Sequence, residues 1–438
     1  MQQVIGRVVG RLRQGTGDAS AITALDIGTE YAKALVVSVE HDGEDALLAG
    51  RVRGSGRHRQ GLTHMQSGTV TDIDAVVRNC ARALADAEAM AGRRAEAAVI
   101  GIAGELVKGI TSRITIRRDE PRAPLSDPEL ERIVERVQDQ ALRDAEERIR
   151  WESGIERLDV RLVHAAIVEM KIDGYPVTNP VGFTGAQLEL AVFNAFAPMV
   201  HLGALQSVAA ALGLELLGVI AEPYAVATCL DPGEVGDAGA VFIDVGGGTT
   251  DVALVRRGGV AGTKMLALGG RAFTKGVAER LALSFSDAEV LKVGGGSGGT
   301  RPAGGAPHDG PVDWDELVAV LESDAAVWRR GVELMIGDLA GGELLPGRIY
   351  LCGGGAELPQ IGAALAEDDW WRRLPYARRP EIRALAPWDV AGIRDETGSL
   401  TTRQDVTPMA LAHQALVLDE RGSSVDRAMR TVVRAMHL

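Results

Sequence analysis

Two stretches of the chain share one pattern of apolar and polar positions. In each, a run of apolar residues ends in Asp-x-Gly, a few small polar residues follow, and a second apolar run begins. The first copy spans residues 24–39 and contains Asp26, and the second spans residues 242–255 and contains Asp244. Glycine at a hairpin turn lets backbone N–H groups approach an anion closely. Two such hairpins, 218 residues apart (244 − 26), predict two duplicated lobes facing each other across the phosphates of a nucleotide.

The spacing of apolar residues elsewhere predicts alternating helices and strands. Ile73, Val76, Cys80 and Leu84 recur at helical spacing, which predicts a helix over residues 72–91. A helix after Pro198 is predicted to break at Gly213, before a strand that ends near Glu222. The other predicted elements are strands at 97–102 and 348–351 and helices at 287–293, 314–339, 359–366 and 408–418.

The pattern changes between residues 113 and 197. A strand is followed by a strongly charged helix at 127–148 and then by strands near 163–172 and 187–193. This order predicts a separate small α+β insert.

A glycine-rich stretch interrupts the second half of the chain. Residues 294–311 contain eight glycines and three prolines among 18 residues. Such a stretch buries too little apolar surface to offset its chain entropy. It also lacks the preceding strand and following capped helix of a phosphate-binding loop, so it is predicted to be a mobile loop.

Composition excludes several classes of protein. The 438 residues carry a net charge of −13, which argues against a general nucleic-acid binder because phosphate attraction needs a basic surface. Cys80, Cys229 and Cys352 are scattered through apolar stretches, as expected for buried thiols in a reducing cytoplasm. No secretory signal is visible. The most apolar segment, residues 202–221, is interrupted by polar side chains and is predicted not to span a membrane.

The residues at the first turn suit a phosphate and a metal ion. Asp26 and Lys33 lie opposite each other if the hairpin forms, so Asp26 can hold Mg²⁺ through water while Lys33 offers a positive charge to a phosphate. Only six of the 47 basic residues are lysine, so a lysine here stands out from the background composition. The second turn supplies unhindered N–H groups and two hydroxyls, from Gly246, Gly247, Gly248, Thr249 and Thr250.

Three further features are each weak alone. Glu222, before a proline at the end of a strand, is placed to orient an attacking water. The triple glycine at 353–355, between a strand and a helix, permits close approach of a base or ribose. Glu289 and Lys292 share a helix face and suit ribose hydroxyls, although an ordinary ion pair explains them equally well.

In this order, the features resemble the actin-like ATPase superfamily, and within it the bacterial cell-division family FtsA. Three segments carry the closer resemblance. They are Gly68-Thr-Val-Thr-Asp-Ile-Asp-Ala with the stretch to Gly92, Ile172-Asp-Gly with Asn179-Pro-Val-Gly-Phe-Thr-Gly, and Gly269-Gly270 with Thr274 and Ala288-Glu-Val-Leu-Lys292. The family usually has an acid at the position of Gly276.

The resemblance implies an α/β actin-like fold of two duplicated lobes around a nucleotide cleft, with an inserted α+β subdomain of the 1C or SHS2 type. It implies subdomain 1A at 19–112 and 198–237, subdomain 1C at 113–197, subdomain 2A at 238–280 and 346–420, and subdomain 2B at 281–345. ATP and Mg²⁺ are the implied cofactors, with Glu222, Asp26 and Asp244 as catalytic groups and the last two holding Mg²⁺ through water. The implied ATP contacts are Asp26, Gly28, Thr29, Lys33, Asp244, Gly246, Gly247, Gly248, Thr249, Thr250, Glu289, Lys292, Gly353, Gly354 and Gly355.

Both ends of the chain are predicted to form basic amphipathic helices, within residues 1–18 and 421–438. Residues 2–14 carry a charge of +3 and residues 425–438 a charge of +2, in a chain that is acidic overall. Such helices favour an anionic bilayer surface, although packing on the body of the protein is the alternative. FtsA resemblance supports the C-terminal anchor, and the related MreB actins have an N-terminal one. The membrane-facing residues are Val425, Met429, Val432, Val433 and Met436 at one end and Val4, Ile5, Val8, Val9 and Leu12 at the other.

The resemblance therefore suggests a cytoplasmic ATP-binding scaffold, at most a slow ATPase, on the inner face of the cell membrane. It would self-associate into filaments and tether the division protein FtsZ, whose C-terminal tail would bind subdomain 2B. A PilM-like pilus-assembly scaffold is the alternative, and a metabolic kinase of the same superfamily is a third possibility.

Deletion of residues 425–438 should release the protein from anionic lipid vesicles, because it removes apolar anchor residues together with basic charge. Co-sedimentation with anionic vesicles measures this, and zwitterionic vesicles serve as the control. Unchanged co-sedimentation of a variant lacking both ends would contradict the predicted anchors.

Overall fold

The structure, a computed structural model, describes residues 21–40, 49–104, 107–153, 159–236, 238–296, 313–367 and 369–419. Both predicted terminal helices, with all their predicted membrane-facing residues, lie outside these ranges, as does most of the predicted glycine-rich loop. Cys80, Cys229 and Cys352 are buried, as the sequence predicts.

Six strands form the first sheet. In chain order they are β1 (Ala21–Ile27), β2 (Tyr31–Glu40), β3 (Ala49–Arg59), β6 (Ala95–Ile102), β11 (Glu215–Ala221) and β17 (Ile393–Asp395). Across the sheet their order is β11-β6-β1-β2-β3-β17. The first predicted hairpin is the antiparallel pair β1–β2, flanked by β6 in parallel. The short strands β4 (Met65–Gln66) and β5 (Thr69–Val70) pair separately.

Nine strands form the second sheet. They are β7 (Lys108–Arg117), β8 (Val160–Ile172), β9 (Tyr175–Pro176), β10 (Gln187–Pro198), β12 (Ala240–Val245), β13 (Thr250–Arg256), β14 (Gly259–Leu266), β15 (Arg348–Cys352) and β16 (Glu381–Ala384). Their order is β16-β15-β12-β13-β14-β7-β10-β8-β9. The second predicted hairpin is the antiparallel pair β12–β13, flanked by β15 in parallel. Each sheet therefore contains the same arrangement at its centre, an antiparallel hairpin with a parallel strand beside its first strand.

The described residues contain ten α-helices and four short 3₁₀ helices. The α-helices are α1 (Ile73–Ala91), α2 (Asp127–Ser153), α3 (Met199–Ala211), α4 (Glu222–Ala227), α5 (Pro232–Val235), α6 (Gly270–Arg280), α7 (Phe285–Gly296), α8 (Trp314–Ala340), α9 (Pro359–Ala366) and α10 (Val406–Asp419). The 3₁₀ helices are Gly354–Glu357, Trp370–Arg373, Pro387–Asp389 and Arg403–Asp405.

Helix α1 shows how local sequence sets an element and its packing. The Asp72 side chain accepts a hydrogen bond from the Ala75 N–H at the start of the helix, and Gly92 ends it in the left-handed conformation, as helix caps commonly do. The helix lies directly on β3, because a Cβ on Gly54 or Gly56 would collide with the helix backbone. Two glycines in the strand thus allow close contact between helix and sheet.

The strands of the predicted insert continue the second sheet. Gly109 and Ile110 of β7 pair with Thr263 and Gly262 of β14, and the Thr111 hydroxyl donates to the Val260 carbonyl at 2.5 Å. The strands of the predicted insert therefore extend the second sheet, because β7 joins the edge of the sheet that holds the second hairpin. Such pairing depends on contacts between distant parts of the chain, which local periodicity does not show.

Most predicted helices and strands agree with the observed ones to within a few residues. One difference concerns the glycines at 294–296, which end α7 instead of beginning a loop. Among the described residues, no helix is long and apolar enough to cross a membrane.

Two glycine substitutions should have opposite effects on stability. A Cβ on Gly109 would overlap the Thr263 hydroxyl and the Phe193 ring, whereas a Cβ on Gly203 of α3 meets nothing within 4 Å. We expect Gly109→Ala to lower the free energy of unfolding by about 1–3 kcal/mol. Gly203→Ala should raise it by about 0.5–1 kcal/mol, because alanine favours helix interiors. Urea denaturation measures both, and equal shifts of the same sign would contradict the packing described for β7.

Candidate functional site

The two hairpin turns border one cavity between the sheets. Its volume is about 440 Å³, within the range of sites that hold cofactors. The structure brings fifteen of the predicted site residues to its wall. They are Asp26, Gly28, Thr29, Lys33, Glu222, Asp244, Gly246, Gly247, Gly248, Thr249, Glu289, Lys292, Gly353, Gly354 and Gly355.

Thr250 is a predicted site residue that does not line the cavity. Its hydroxyl donates to the Leu268 carbonyl at 2.6 Å and accepts from the Trp328 indole N–H at 2.9 Å. Successive residues of a strand point to opposite faces, so Thr250 faces the packed helix α8 while Asp251 faces the cavity. Thr250 therefore joins the second turn to Leu268 and to helix α8, on the side of the strand that faces away from the cavity.

At the first turn, Asp26 and Lys33 are register partners on β1 and β2. The Lys33 ammonium lies 3.0 Å from the Asp26 carboxylate and donates to the Gln404 carbonyl at 2.7 Å. Burial works to lower the pKa of Lys33, but the charge of Asp26 and its hydrogen bond outweigh burial, so the pKa is raised. Lys33 is thus a fixed positive charge in the cavity wall.

At the second turn, Asp244 sits against Gly353. The Asp244 carboxylate accepts a hydrogen bond from the Thr407 hydroxyl of α10 at 2.5 Å. Burial raises its pKa, although Thr407 and Lys33 act in the opposite direction. Gly353 has a φ of 88°, and a Cβ there would collide with Asp244 Oδ1 and the Val245 carbonyl. Glycine is therefore required where β15 meets the turn.

Two more carboxyl groups complete an acidic cluster. Glu222 is the first residue of α4, and its pKa is raised by burial and then by the charges of Asp26, Asp251 and Asp244. Asp251 pairs with Asp244 across the hairpin, and its Oδ1 is buried without a hydrogen-bond partner among the described residues. Burial, and secondarily Asp244, raises its pKa. Sequence reasoning missed Asp251, although the hairpin register placed it opposite Asp244.

Glu289 and Lys292 form the ion pair that their spacing permits, at 2.7 Å. The Lys292 ammonium also donates to the Gly270 carbonyl at 2.9 Å and the Thr274 hydroxyl at 2.8 Å. Thr274 in turn donates a short hydrogen bond to Glu289. Because all three hydrogens of the ammonium have acceptors, Lys292 holds Glu289 in place against α6.

The comparisons with known proteins agree with one another. Residues 241–348 match the model of the family described as cell division protein FtsA. Over 398 residues the chain is 27% identical to FtsA of Pseudomonas aeruginosa, covering 85% of each protein. It is 23% identical to FtsA of Bacillus subtilis, covering 85% of this chain and 80% of that protein. The solved PilM–PilN type IV pilus biogenesis complex is similar with a TM-score of 0.60 and 16% identity, covering 90% of this chain and 98% of that one. The chain is FtsA-like, with the actin-like ATPase fold.

The likeness to the PilM–PilN structure, at 16% identity, shows the fold alone. The similarity to FtsA is a similarity of sequence that extends over most of the chain. Gly276 stands where the resemblance to FtsA predicts an acid. A Cβ on Gly276 would collide with the Asp324 carboxylate of α8. Asp324 Oδ2 is buried without a partner among the described residues, and burial raises its pKa. A carboxyl group from another helix thus occupies the space beside Gly276.

The cavity of the FtsA-like protein fits a nucleotide with Mg²⁺. Magnesium usually keeps several waters and takes one or two carboxylates together with phosphate oxygens. Asp26 and Asp244 both line the cavity, so water-mediated contacts from their carboxylates fit this chemistry. The unpartnered Oδ1 of Asp251 offers a third acceptor in the same wall.

Glu222→Gln should raise the melting temperature of the ligand-free protein, and the gain should grow as the pH rises above the range in which a free glutamate ionises. The unfolded chain ionises Glu222 above a pKa of about 4.3, whereas the folded protein holds the proton to higher pH. Stability is therefore lost as pH rises through that range, and glutamine has no proton to lose. Thermal unfolding at several pH values measures this, with the exposed Glu322→Gln as the control. A gain that shrinks as pH rises would contradict the buried acid.

Proposed function

We propose that this chain is an ATP-binding actin homologue of bacterial cell division that self-associates and links FtsZ to the cytoplasmic membrane. The observation that carries the proposal is the pair of hairpin turns bordering one cavity. Similarity to proteins named cell division protein FtsA, over 85% of the chain, supports the role in division.

Each side of the cavity has a role in the proposed binding of ATP. The glycines at 246–248 let phosphate oxygens approach the backbone N–H groups, and Lys33 supplies a positive charge from the other side. Asp26 and Asp244 would hold Mg²⁺ through water. Glu289, fixed by Lys292, faces the ribose, and the triple glycine at 353–355 makes room for the adenosine.

Hydrolysis, in this proposal, is slow and depends on the acidic cluster. Glu222 needs to be ionised to accept a proton from an attacking water, and its raised pKa opposes this in the ligand-free state. A bound cation would favour the charged form. ATP would thus serve chiefly to bias the protein towards one lobe arrangement.

The attachment sites extend the proposal beyond the cavity. Residues 281–345, which include α8, would receive the C-terminal tail of FtsZ, and the strands at 113–197 would form the inserted subdomain. The basic amphipathic termini, residues 2–14 and 425–438, would hold the protein at the anionic inner face of the membrane. Many anchors along one filament would bind far more tightly than one.

Asp244→Ala should abolish stabilisation by ATP, because it removes a carboxylate that positions the metal. ATP at a hundredfold excess over its dissociation constant stabilises a folded protein by about 2.7 kcal/mol. Thermal shift with ATP and Mg²⁺ measures the effect. The control is Asp338→Ala, which removes an exposed carboxylate paired with Lys264. Equal ATP stabilisation of Asp244→Ala and the wild type would refute the site.

The same variants test the larger role. Wild-type protein with ATP should form filaments on anionic lipid monolayers and retain an FtsZ C-terminal peptide, and Asp244→Ala should form fewer filaments. A chain that binds ATP but retains a short peptide of a pilus membrane protein, and no FtsZ peptide, would favour the PilM-like alternative. Turnover of a sugar or an acid in a phosphoryl-transfer screen would favour a metabolic kinase.

A further inference from the structure

Arg271 reaches from the second hairpin's side of the cavity to the first hairpin. It lies in the first turn of α6, and its Nε is 2.8 Å from the Glu30 carboxylate. Its Nη2 donates to the Thr29 carbonyl at 2.7 Å. One guanidinium therefore holds both a side chain and a backbone group of the first turn.

The same side chain reaches the loop that follows β3. Longer hydrogen bonds join Arg271 to the carbonyls of Leu62 at 3.3 Å, Met65 at 3.4 Å and Gly61 at 3.5 Å. The planar fork of arginine can serve several acceptors at once, which the single ammonium of lysine cannot do in the same geometry.

Arg271 also holds the second turn through its backbone. Its own N–H donates to the Gly247 carbonyl at 2.7 Å. Arg271 is thus hydrogen-bonded to both hairpin turns, to the first through its side chain and to the second through its backbone, and the two turns belong to different sheets. Breaking its side-chain contacts would remove these hydrogen bonds between the two turns.

The turns themselves are in close contact. A Cβ on Gly247 would lie 2.8 Å from the Glu30 Cβ, and a Cβ on Gly248 would lie 2.6 Å from the Thr29 hydroxyl. These distances leave no room for a ligand to pass directly between the turn tips. A ligand that passes there therefore requires the turns to separate.

The Arg271–Glu30 pair is well placed to resist that separation. Both side chains are 15% exposed, so solvent screens their attraction less than that of a surface pair. Glu30 is also held by Arg59 at 2.6 Å, so two arginines contact its carboxylate.

We propose that Arg271 holds the two turns together and sets the rate at which nucleotide enters and leaves the cavity. The inference rests on the proposed nucleotide site and assigns Arg271 the part of a positioning residue that gates exchange. Because its contacts are within the protein, they oppose opening with or without ligand. Loss of them should speed association and release together and leave the dissociation constant nearly unchanged.

Stopped-flow kinetics with a fluorescent ATP analogue and Mg²⁺ tests the gate. For Arg271→Ala we expect both rate constants to rise by about tenfold, the scale expected for loss of a partly buried charged pair. Arg271→Lys should lie between this variant and the wild type. The control is Arg280→Ala on the same helix, whose partner Glu316 is exposed, and its rates should not change. Unchanged rates in Arg271→Ala, or faster release with equally weakened affinity, would overturn the gate.

Hydrogen exchange of the ligand-free protein provides a second measurement. The Gln60 N–H donates to the Glu30 carbonyl at 2.8 Å and the His64 N–H to the Gly61 carbonyl at 3.2 Å. Arg271→Ala and Arg271→Lys should exchange faster over residues 60–71 and 246–249, since these segments lose their connection. Unchanged exchange in both variants would overturn the role of Arg271 in holding the turns.

The two measurements separate the inference from the proposed function. A wild-type protein that binds no nucleotide refutes the nucleotide site and the exchange gate together. Hydrogen exchange then still decides whether Arg271 holds the turns. Normal nucleotide binding with unchanged rates in Arg271→Ala refutes the gate alone.

Discussion

The burial of several carboxyl groups around a single ammonium is the constraint on which the rest of the site depends. Glu222, Asp244 and Asp251 each have a raised pKa because burial disfavours their charged forms, and Lys33 is the cation that lies among them. The protein alone does not neutralise this cluster when all its members are charged. A bound cation resolves the conflict, because it favours the ionised forms of acids that otherwise retain protons. In the proposed function, ATP would bring such a cation, Mg²⁺, together with its phosphates.

Close packing of backbone segments makes that arrangement possible. Glycine is required at Gly353, where a side chain would enter the space of Asp244, and at Gly247 and Gly248, where the two turns meet. Helix α10 reaches the second turn through Thr407, and the ion pair of Glu289 and Lys292 fixes the opposite wall. The site is therefore built from segments far apart in sequence, each of which contributes only one or two groups.

The sequence predicted what depends on local pattern. The two hairpins, helix α1 and the pairing of Asp26 with Lys33 followed from apolar spacing and turn residues. Asp251 and Arg271 were missed because their importance comes from partners across a sheet register and across the cavity. The continuation of the second sheet into β7 was also missed, since it joins residues more than 150 positions apart. Thr250 was predicted among the nucleotide contacts, but strand alternation turns its hydroxyl towards Trp328.

The pairing of β7 with β14 has a mechanical consequence. Strands joined by backbone hydrogen bonds cannot slide past each other without breaking those bonds, and a tight glycine contact reinforces this join at Gly109. Although the chain enters the region from β7 to β10 from β6 and leaves it towards β11, both strands of the first sheet, its hydrogen bonds tie this region to the second sheet. If one sheet rotates against the other, strands β7, β10, β8 and β9 therefore move with the second sheet. The displacement is greatest at β9, the strand farthest from β14 in this order.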